Sequence, residues 1–125
     1  MIKSSLVTVY VVNYNYGRYL EECLKSVFLQ TYKNIEILLI DDGSTDQESK
    51  LILDKYEDDS RIFLIRQDNK GLTFSNNVAL KNSTGKYIMR LDADDFLVDN
   101  CVEKLVKVLD NNSDYDLVFP DYYEI

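Results

Sequence analysis

Two short apolar runs restrict the fold of this chain more than any other feature. Leu6-Val7-Thr8-Val9-Tyr10-Val11-Val12 and Ile35-Glu36-Ile37-Leu38-Leu39-Ile40 are nearly continuous and rich in β-branched residues. A strand with one face in water alternates apolar and polar residues, whereas a strand covered on both faces does not. Such runs belong in a parallel sheet, and parallel neighbours need a crossover between them. The intervening segment supplies one. Leu20, Cys23, Leu24, Val27 and Phe28 recur at the spacing of one helix face.

The alternation continues along the chain. A second helix is expected from Gln47 to about Tyr56, with Leu51, Ile52 and Tyr56 facing inward and a cap from Ser44, Thr45 or Asp46. Residues 61–66 read as a third strand. Residues 72–82 read as a helix with Leu72, Val78 and Ala79 inward, ended near Gly85. Residues 86–91 read as a fourth strand. Asp99 or Asn100 then caps a helix striped by Val102, Leu105, Val106 and Leu109, and residues 115–119 read as a fifth strand. Strands alternating with helices over 1–125 describe one α/β domain. Its expected form is a mainly parallel open sheet with helices on both faces and right-handed crossovers.

Charge and composition exclude several functions. There are 22 acidic residues against 14 basic ones, a net charge of −8. Nucleic-acid binding is not expected, since attraction to phosphate dominates it. The chain has no histidine, which removes Ser-His-Asp and Cys-His catalysis and every His-ligated metal site. Cys23 and Cys101 each sit in an apolar helical pattern and read as buried thiols of a reducing compartment. No apolar run nears the roughly 18 residues of a membrane span, and no signal peptide is visible. The expected location is the cytoplasm, or the inner face of the membrane for a full-length protein.

Three strand ends carry unusual polar groups: Asn13-Tyr14-Asn15, Asp41-Asp42 and Asp92-Ala93-Asp94-Asp95. In an open parallel sheet, ligands bind beyond the carboxyl ends where strand order reverses. These loops are therefore expected on one rim. Three carboxylates within four positions repel one another, and a divalent cation would offset that repulsion. Hard oxygen ligands suit Mg²⁺ or Mn²⁺ shared with a phosphate. The plainer reading is a solvated acidic turn that caps the next helix. Neither a G-x-G-x-x-G fingerprint nor a P-loop occurs, so phosphate would be neutralised by a cation and not cradled by glycines.

The residues resemble a known family. Val7 to Asn15, Leu24-Lys25-Ser26-Val27, Gln30-Thr31-Tyr32, Glu36-Ile37 and Asp41-Asp42-Gly43-Ser44-Thr45-Asp46 look like the nucleotide-binding half of inverting family-2 glycosyltransferases, which have the Rossmann-like GT-A fold. Asn69-Lys70-Gly71 with Asn77, and Leu91-Asp92-Ala93-Asp94-Asp95 with Asp99, continue the match. The resemblance implies a nucleotide-diphosphate-sugar donor, with a UDP-sugar favoured, and a saccharide or lipid-linked acceptor in a full-length protein. It implies that Asn13, Tyr14 and Asn15 line the nucleotide pocket and that Asp41, with Asp42 beside it, accepts from the base. Asp92 and Asp94 would form the Asp-x-Asp motif that meets ribose and the metal-bound diphosphate, with Asp95 as the neighbouring carboxylate. The cofactor implied is Mn²⁺ or Mg²⁺.

The chain departs from that family's pattern in places. Val12 and Asn13 stand where proline and threonine are common. Ser75-Asn76-Asn77 replaces a pattern containing arginine, leaving Lys70 or Arg90 to supply a basic contact. Val98 replaces a proline. The general base is carried, in the family, on a segment past the fifth strand. On this reading the chain is expected to be a truncated donor-binding half with no assignable catalytic base. Two alternatives share parts of the pattern. A nucleotidyltransferase would want a glycine-rich, basic first loop, which Asn13 to Arg18 does not provide. A non-catalytic nucleotide-binding or assembly module would keep the site without turnover.

Overall fold

The computed structural model describes residues 4–118 and 120. The elements run β1 (Val7–Asn13), α1 (Gly17–Phe28), β2 (Ile35–Asp42), α2 (Gln47–Tyr56), β3 (Ile62–Gln67), α3 (Leu72–Asn82), β4 (Tyr87–Asp92) and α4 (Cys101–Asn111). The strands form one parallel sheet in the order β3-β2-β1-β4. The doubly buried runs take its centre. Val9 and Val11 of β1 and Leu39 and Ile40 of β2 have no exposure.

Side chains alternate across the sheet and divide the core in two. Val7, Val9, Val11, Ile37, Leu39 and Leu91 meet Leu20 and Leu24 of α1, Leu53 and Tyr56 of α2, and Val102 and Val106 of α4. On the opposite face Tyr10, Leu38 and Ile40 meet Ala79 of α3. The β1–β2 and β2–β3 crossovers travel one way across the sheet, and the β3–β4 crossover travels back past β1. Right-handed crossovers then require α1 and α2 on one face and α3 on the other. Strand order reverses at β1, with β2 and β4 on its two sides. Among the described residues, no helix is long and apolar enough to cross a membrane.

Local details differ from the sequence expectations in four places. The buried stripe of α2 is Ser49, Leu53 and Tyr56, while Leu51 is 59% exposed. In α3, Leu72 is exposed and the helix closes at Ser83. Gly85 lies beyond that closure and donates its N–H to Thr8 Oγ1 at 3.0 Å. Asn100 occupies the cap position of α4 but makes no side-chain cap bond. Residues 115–118 form no strand, and Phe119 lies outside the described residues. Leu117 and Val118 instead line a cavity of about 230 Å³ together with β4 and α4. An apolar run reads the same whether it joins a ladder or only lies against side chains.

The start of α1 packs directly on the start of α2. Asp46 caps α2 by accepting from Ser49 N at 3.1 Å, and the same Oδ2 accepts from Gly17 N at 3.2 Å. A Cβ at Gly17 would lie 2.0 Å from Ser49 N and 2.4 Å from the Glu48 carbonyl carbon. Backbone atoms cannot yield as a flexible side chain does. Gly→Ala in an exposed helix normally gains up to about 1 kcal/mol. Here Gly17→Ala is expected to lose about 1–3 kcal/mol through overpacking, read from denaturant midpoints. The α2 stripe has its own check. Leu53→Ala should cost about 2–5 kcal/mol, and Leu51→Ala should change stability by about 0.5 kcal/mol or less. Equal losses would mean that α2 is rotated from the orientation described.

Candidate functional site

Sheet register brings the polar strand ends into one row. Asn13 lies opposite Asp41, Val12 opposite Asp92, and Asp42 opposite Gln67. All stand at the carboxyl edge, on both sides of the strand-order reversal at β1.

Asn13 is the hub of that edge and it points inward. With no exposure, its Nδ2 shares its two hydrogens among Asp41 Oδ1 at 3.0 Å, Ser49 Oγ at 3.0 Å and Ser44 Oγ at 3.1 Å. Its Oδ1 accepts from Tyr16 N at 3.3 Å. One side chain thus ties the end of β1 to the end of β2 and to the starts of α1 and α2. The side chain the sequence placed as a pocket wall is an internal strut. Asn15 has φ +60°, a left-handed conformation that asparagine tolerates. Its Oδ1 accepts from Thr45 N at 2.8 Å and Asp46 N at 3.2 Å, which pins the loop after β2. Tyr14 is 45% exposed at the rim.

Asp41 and Asp42 are both buried but differ in spare capacity. Asp41 Oδ1 accepts from Asn13 and from Ser44 Oγ, and Oδ2 accepts from Ser44 N at 3.0 Å. A carboxylate has about four acceptor positions, so Asp41 keeps one. Asp42 uses all of them. Its Oδ1 accepts from Gln67 Nε2 at 3.0 Å and Lys70 N at 2.7 Å. Its Oδ2 accepts from Gly71 N at 3.0 Å and Asn69 Nδ2 at 3.2 Å. Burial alone would raise the Asp42 pKa. The bonds from Gln67, Lys70 N and Gly71 N outweigh it and hold the carboxyl below its ordinary value. Asp42 therefore shapes the loop that carries Lys70, whose side chain is exposed. Gly43, at φ +79°, lets that loop close: a Cβ would lie 2.7 Å from Asn69 N. Ser75 and Asn76 also turn inward, Ser75 to Gln67 and Asn76 to the Tyr10 hydroxyl.

The third acidic group has the opposite character. Leu91 and Ala93 are buried, while Asp92 at the end of β4 and Asp94 in the turn after it are exposed. One ligand atom each from Asp92, Asp94 and Asp95 lie within 4.8 Å of one another, and all three residues are exposed. Asp95 N donates to the Asp92 carbonyl at 2.9 Å and closes the turn. Partial burial and the charges of Asp94 and Asp92 raise the Asp95 pKa. Arg90 reaches Asp92 at 3.3 Å, an exposed pair that offsets little of the repulsion. Three hard oxygens facing outward suit a Mg²⁺ or Mn²⁺ that completes its sphere with water and phosphate. Beneath them, the Cys23 thiol contacts the Asp92 carbonyl at 3.5 Å. Burial, then Asp95, Asp92 and Asp94, push its pKa up to about 12 and keep it a protonated donor.

Sequence reasoning did not find Ser49 or Gln67. Both are ordinary polar residues inside amphipathic elements, and only the packed fold shows them bonded to Asn13 and Asp42.

The chain matches known proteins along nearly all its length. The family model Glycosyl transferase family 2 covers residues 8–125. The glycosyltransferase GlyA of Streptococcus pneumoniae is 42% identical over 107 residues, which are 86% of this chain and 15% of that protein. S. aureus TarS 1–349 in complex with UDP-GlcNAc shares the fold with a TM-score of 0.75 at 27% identity, over 85% of this chain and 31% of that one. The mannosyltransferase PcManGT of Pyrobaculum calidifontis, in complex with GDP-Man and Mn²⁺, has a TM-score of 0.77 at 26% identity, over 86% and 33%. The chain spans 15% and 40% of the length of the first two curated relatives it matches. The family match takes in every loop of the rim, and on that ground the chain belongs to glycosyl transferase family 2, with the Rossmann-like GT-A fold of its structural neighbours.

Proposed function

We propose that this chain is the donor-binding part of a glycosyltransferase that uses a nucleotide-diphosphate sugar and a divalent cation. The observation that carries the proposal is the triad Asp92, Asp94 and Asp95, exposed and mutually repelling, at the strand-order reversal of a family-2 chain. Packing gives no reason to gather three carboxylates there. A cation shared with a diphosphate does.

The residues divide the work. Asp41, with one acceptor position left, takes a hydrogen bond from the base, and Tyr14 and Asn15 border the same pocket. Asn13 and Asp42 act one step back, by fixing the loops that form its walls. Lys70 offers a positive charge beside the diphosphate. Asp92 meets the ribose, and Asp92, Asp94 and Asp95 hold Mn²⁺ or Mg²⁺. The cation supplies neutralisation of the charge that develops on the leaving diphosphate. UDP is the favoured nucleotide; one structural neighbour binds UDP-GlcNAc and another GDP-Man with Mn²⁺. In a longer protein the sugar passes with inversion to a saccharide or lipid-linked hydroxyl, in the cytoplasm or at the inner membrane face. Proton removal from that hydroxyl needs a general base, a role we assign to none of these residues.

Thermal melts test the site. A ligand that binds only the folded state adds about 2.7 kcal/mol at a hundredfold excess over Kd. For a domain of this size that raises Tm by roughly 8–14 °C. Mn²⁺ with UDP should raise Tm more than the sum of the two alone, because the diphosphate completes the coordination sphere. Asp94→Asn should remove most of that synergy and slightly raise the metal-free Tm, since one repelling charge is gone. A solvated acidic turn predicts no synergy and equal shifts in both proteins.

A further inference from the structure

Beyond covering the sheet, α1 grips the segment that follows β4. Its second half and the residues after it carry polar groups spaced to meet that segment's backbone. Cys23 contacts the Asp92 carbonyl. Ser26 Oγ accepts from Leu97 N at 3.0 Å and donates to the Cys23 carbonyl at 2.6 Å. Gln30, with no exposure, donates from Nε2 to the Val98 carbonyl at 2.7 Å and accepts from Val102 N at 3.0 Å. Thr31 N donates to the Asp99 carbonyl at 2.8 Å.

These contacts have an order with a mechanical meaning. Gln30 and Thr31 fix residues 98–102, well past the acidic turn. Cys23 meets its first residue. Between those points Asp95 N closes the turn on the Asp92 carbonyl, and the Ser26 hydroxyl is, among the described residues, the side chain that bonds the main chain just after it, at Leu97. Asp94 and Asp95 are thus carried on a short loop, tethered at Asp92 and at Leu97. Repulsion among the three carboxylates pushes that loop outward, and the tether at Leu97 opposes it.

We infer that Ser26 is a positioning residue for the cation site: its hydroxyl holds the backbone at Leu97 so that Asp94 and Asp95 stay in reach of the cation that Asp92 meets. The inference rests on the cation reading of the triad proposed above. Ser26 touches neither cation nor nucleotide, and it acts through the main chain. Its side chain is partly buried and lines a cavity of about 700 Å³ with Leu29, Phe96 and Leu97. Ser26→Thr keeps the hydroxyl while Ser26→Ala removes it.

Calorimetric titration of Mn²⁺ into the chain saturated with UDP provides the test, alongside UDP titrations without metal and thermal melts. Loss of a group that orients metal ligands lowers metal affinity about tenfold or more. Ser26→Ala should therefore weaken Mn²⁺ binding about tenfold, leave metal-free UDP affinity unchanged, and remain folded at the titration temperature. Ser26→Thr should bind Mn²⁺ as the wild type does. Equal Mn²⁺ affinity in Ser26→Ala and wild type would overturn the inference while leaving the cation site standing. Parallel loss of Mn²⁺ and metal-free UDP binding would also overturn it, by showing a general structural role. Absence of Mn²⁺ binding in the wild type would remove the cation site and the inference together.

Discussion

Asn13 stops β1 at a place where water cannot reach its side chain, so its amide must find partners inside the protein. It finds Asp41, Ser44, Ser49 and the N–H of Tyr16. Each partner belongs to a different piece of the rim: the end of β2, the loop after it, the first turn of α2 and the entry to α1. Breaking such a network strands several buried groups together, and each costs about 1–3 kcal/mol if left unpaired. The loops on this side of the reversal are therefore held by one interior contact point. Asp46 repeats the arrangement one layer out, with a single oxygen serving both helix starts.

The two acidic groups on the rim illustrate how environment divides identical side chains. Asp41 and Asp42 are buried and surrounded by donors, so their charge is spent on organising backbone. Asp92, Asp94 and Asp95 are exposed and surrounded mainly by one another. Burial pushes the Asp42 pKa up but its hydrogen bonds outweigh that and hold it down, whereas burial with neighbouring charge pushes that of Asp95 up. Asp42 is complete without a ligand, and Asp41 keeps a single acceptor position. The second group has one exposed arginine, Arg90, against three carboxylates, and a cation at the carboxyl edge of a parallel sheet would offset the rest next to the position a diphosphate would take.

Much of the fold was legible in the sequence because its central strands are buried on both faces. Continuous runs such as 6–12 and 35–40 have few other interpretations, and their crossovers follow from handedness. Where burial is one-sided the sequence said less. In the ten-residue α2, Leu51 and Leu53 fit inward-facing stripes about equally well, and only packing against α1 and β3 decides for Leu53. The run at 115–119 has strand-like composition, but its described residues form no ladder, and Leu117 and Val118 border a cavity with β4 and α4. At the site, the row of strand ends was readable because a parallel sheet puts every carboxyl end on one edge. The inward turn of Asn13 and the saturation of Asp42 were not, since asparagine and aspartate look alike in sequence whether they face a ligand or a helix start.

The central claim is spatial: a cation and a nucleotide diphosphate meet at the carboxyl edge, over Asp92, Asp94 and Asp95. Paramagnetic broadening of backbone amide resonances by substoichiometric Mn²⁺ in the presence of UDP measures this directly. A cation on the triad should broaden residues 92–97 first, then residues near Asn15, Ser44 and Lys70. Amides at the opposite edge of the sheet, around Asn34 and Arg61, should remain sharp. Broadening centred away from residues 92–97, or spread evenly over the acidic surface, would contradict a cation site at this rim.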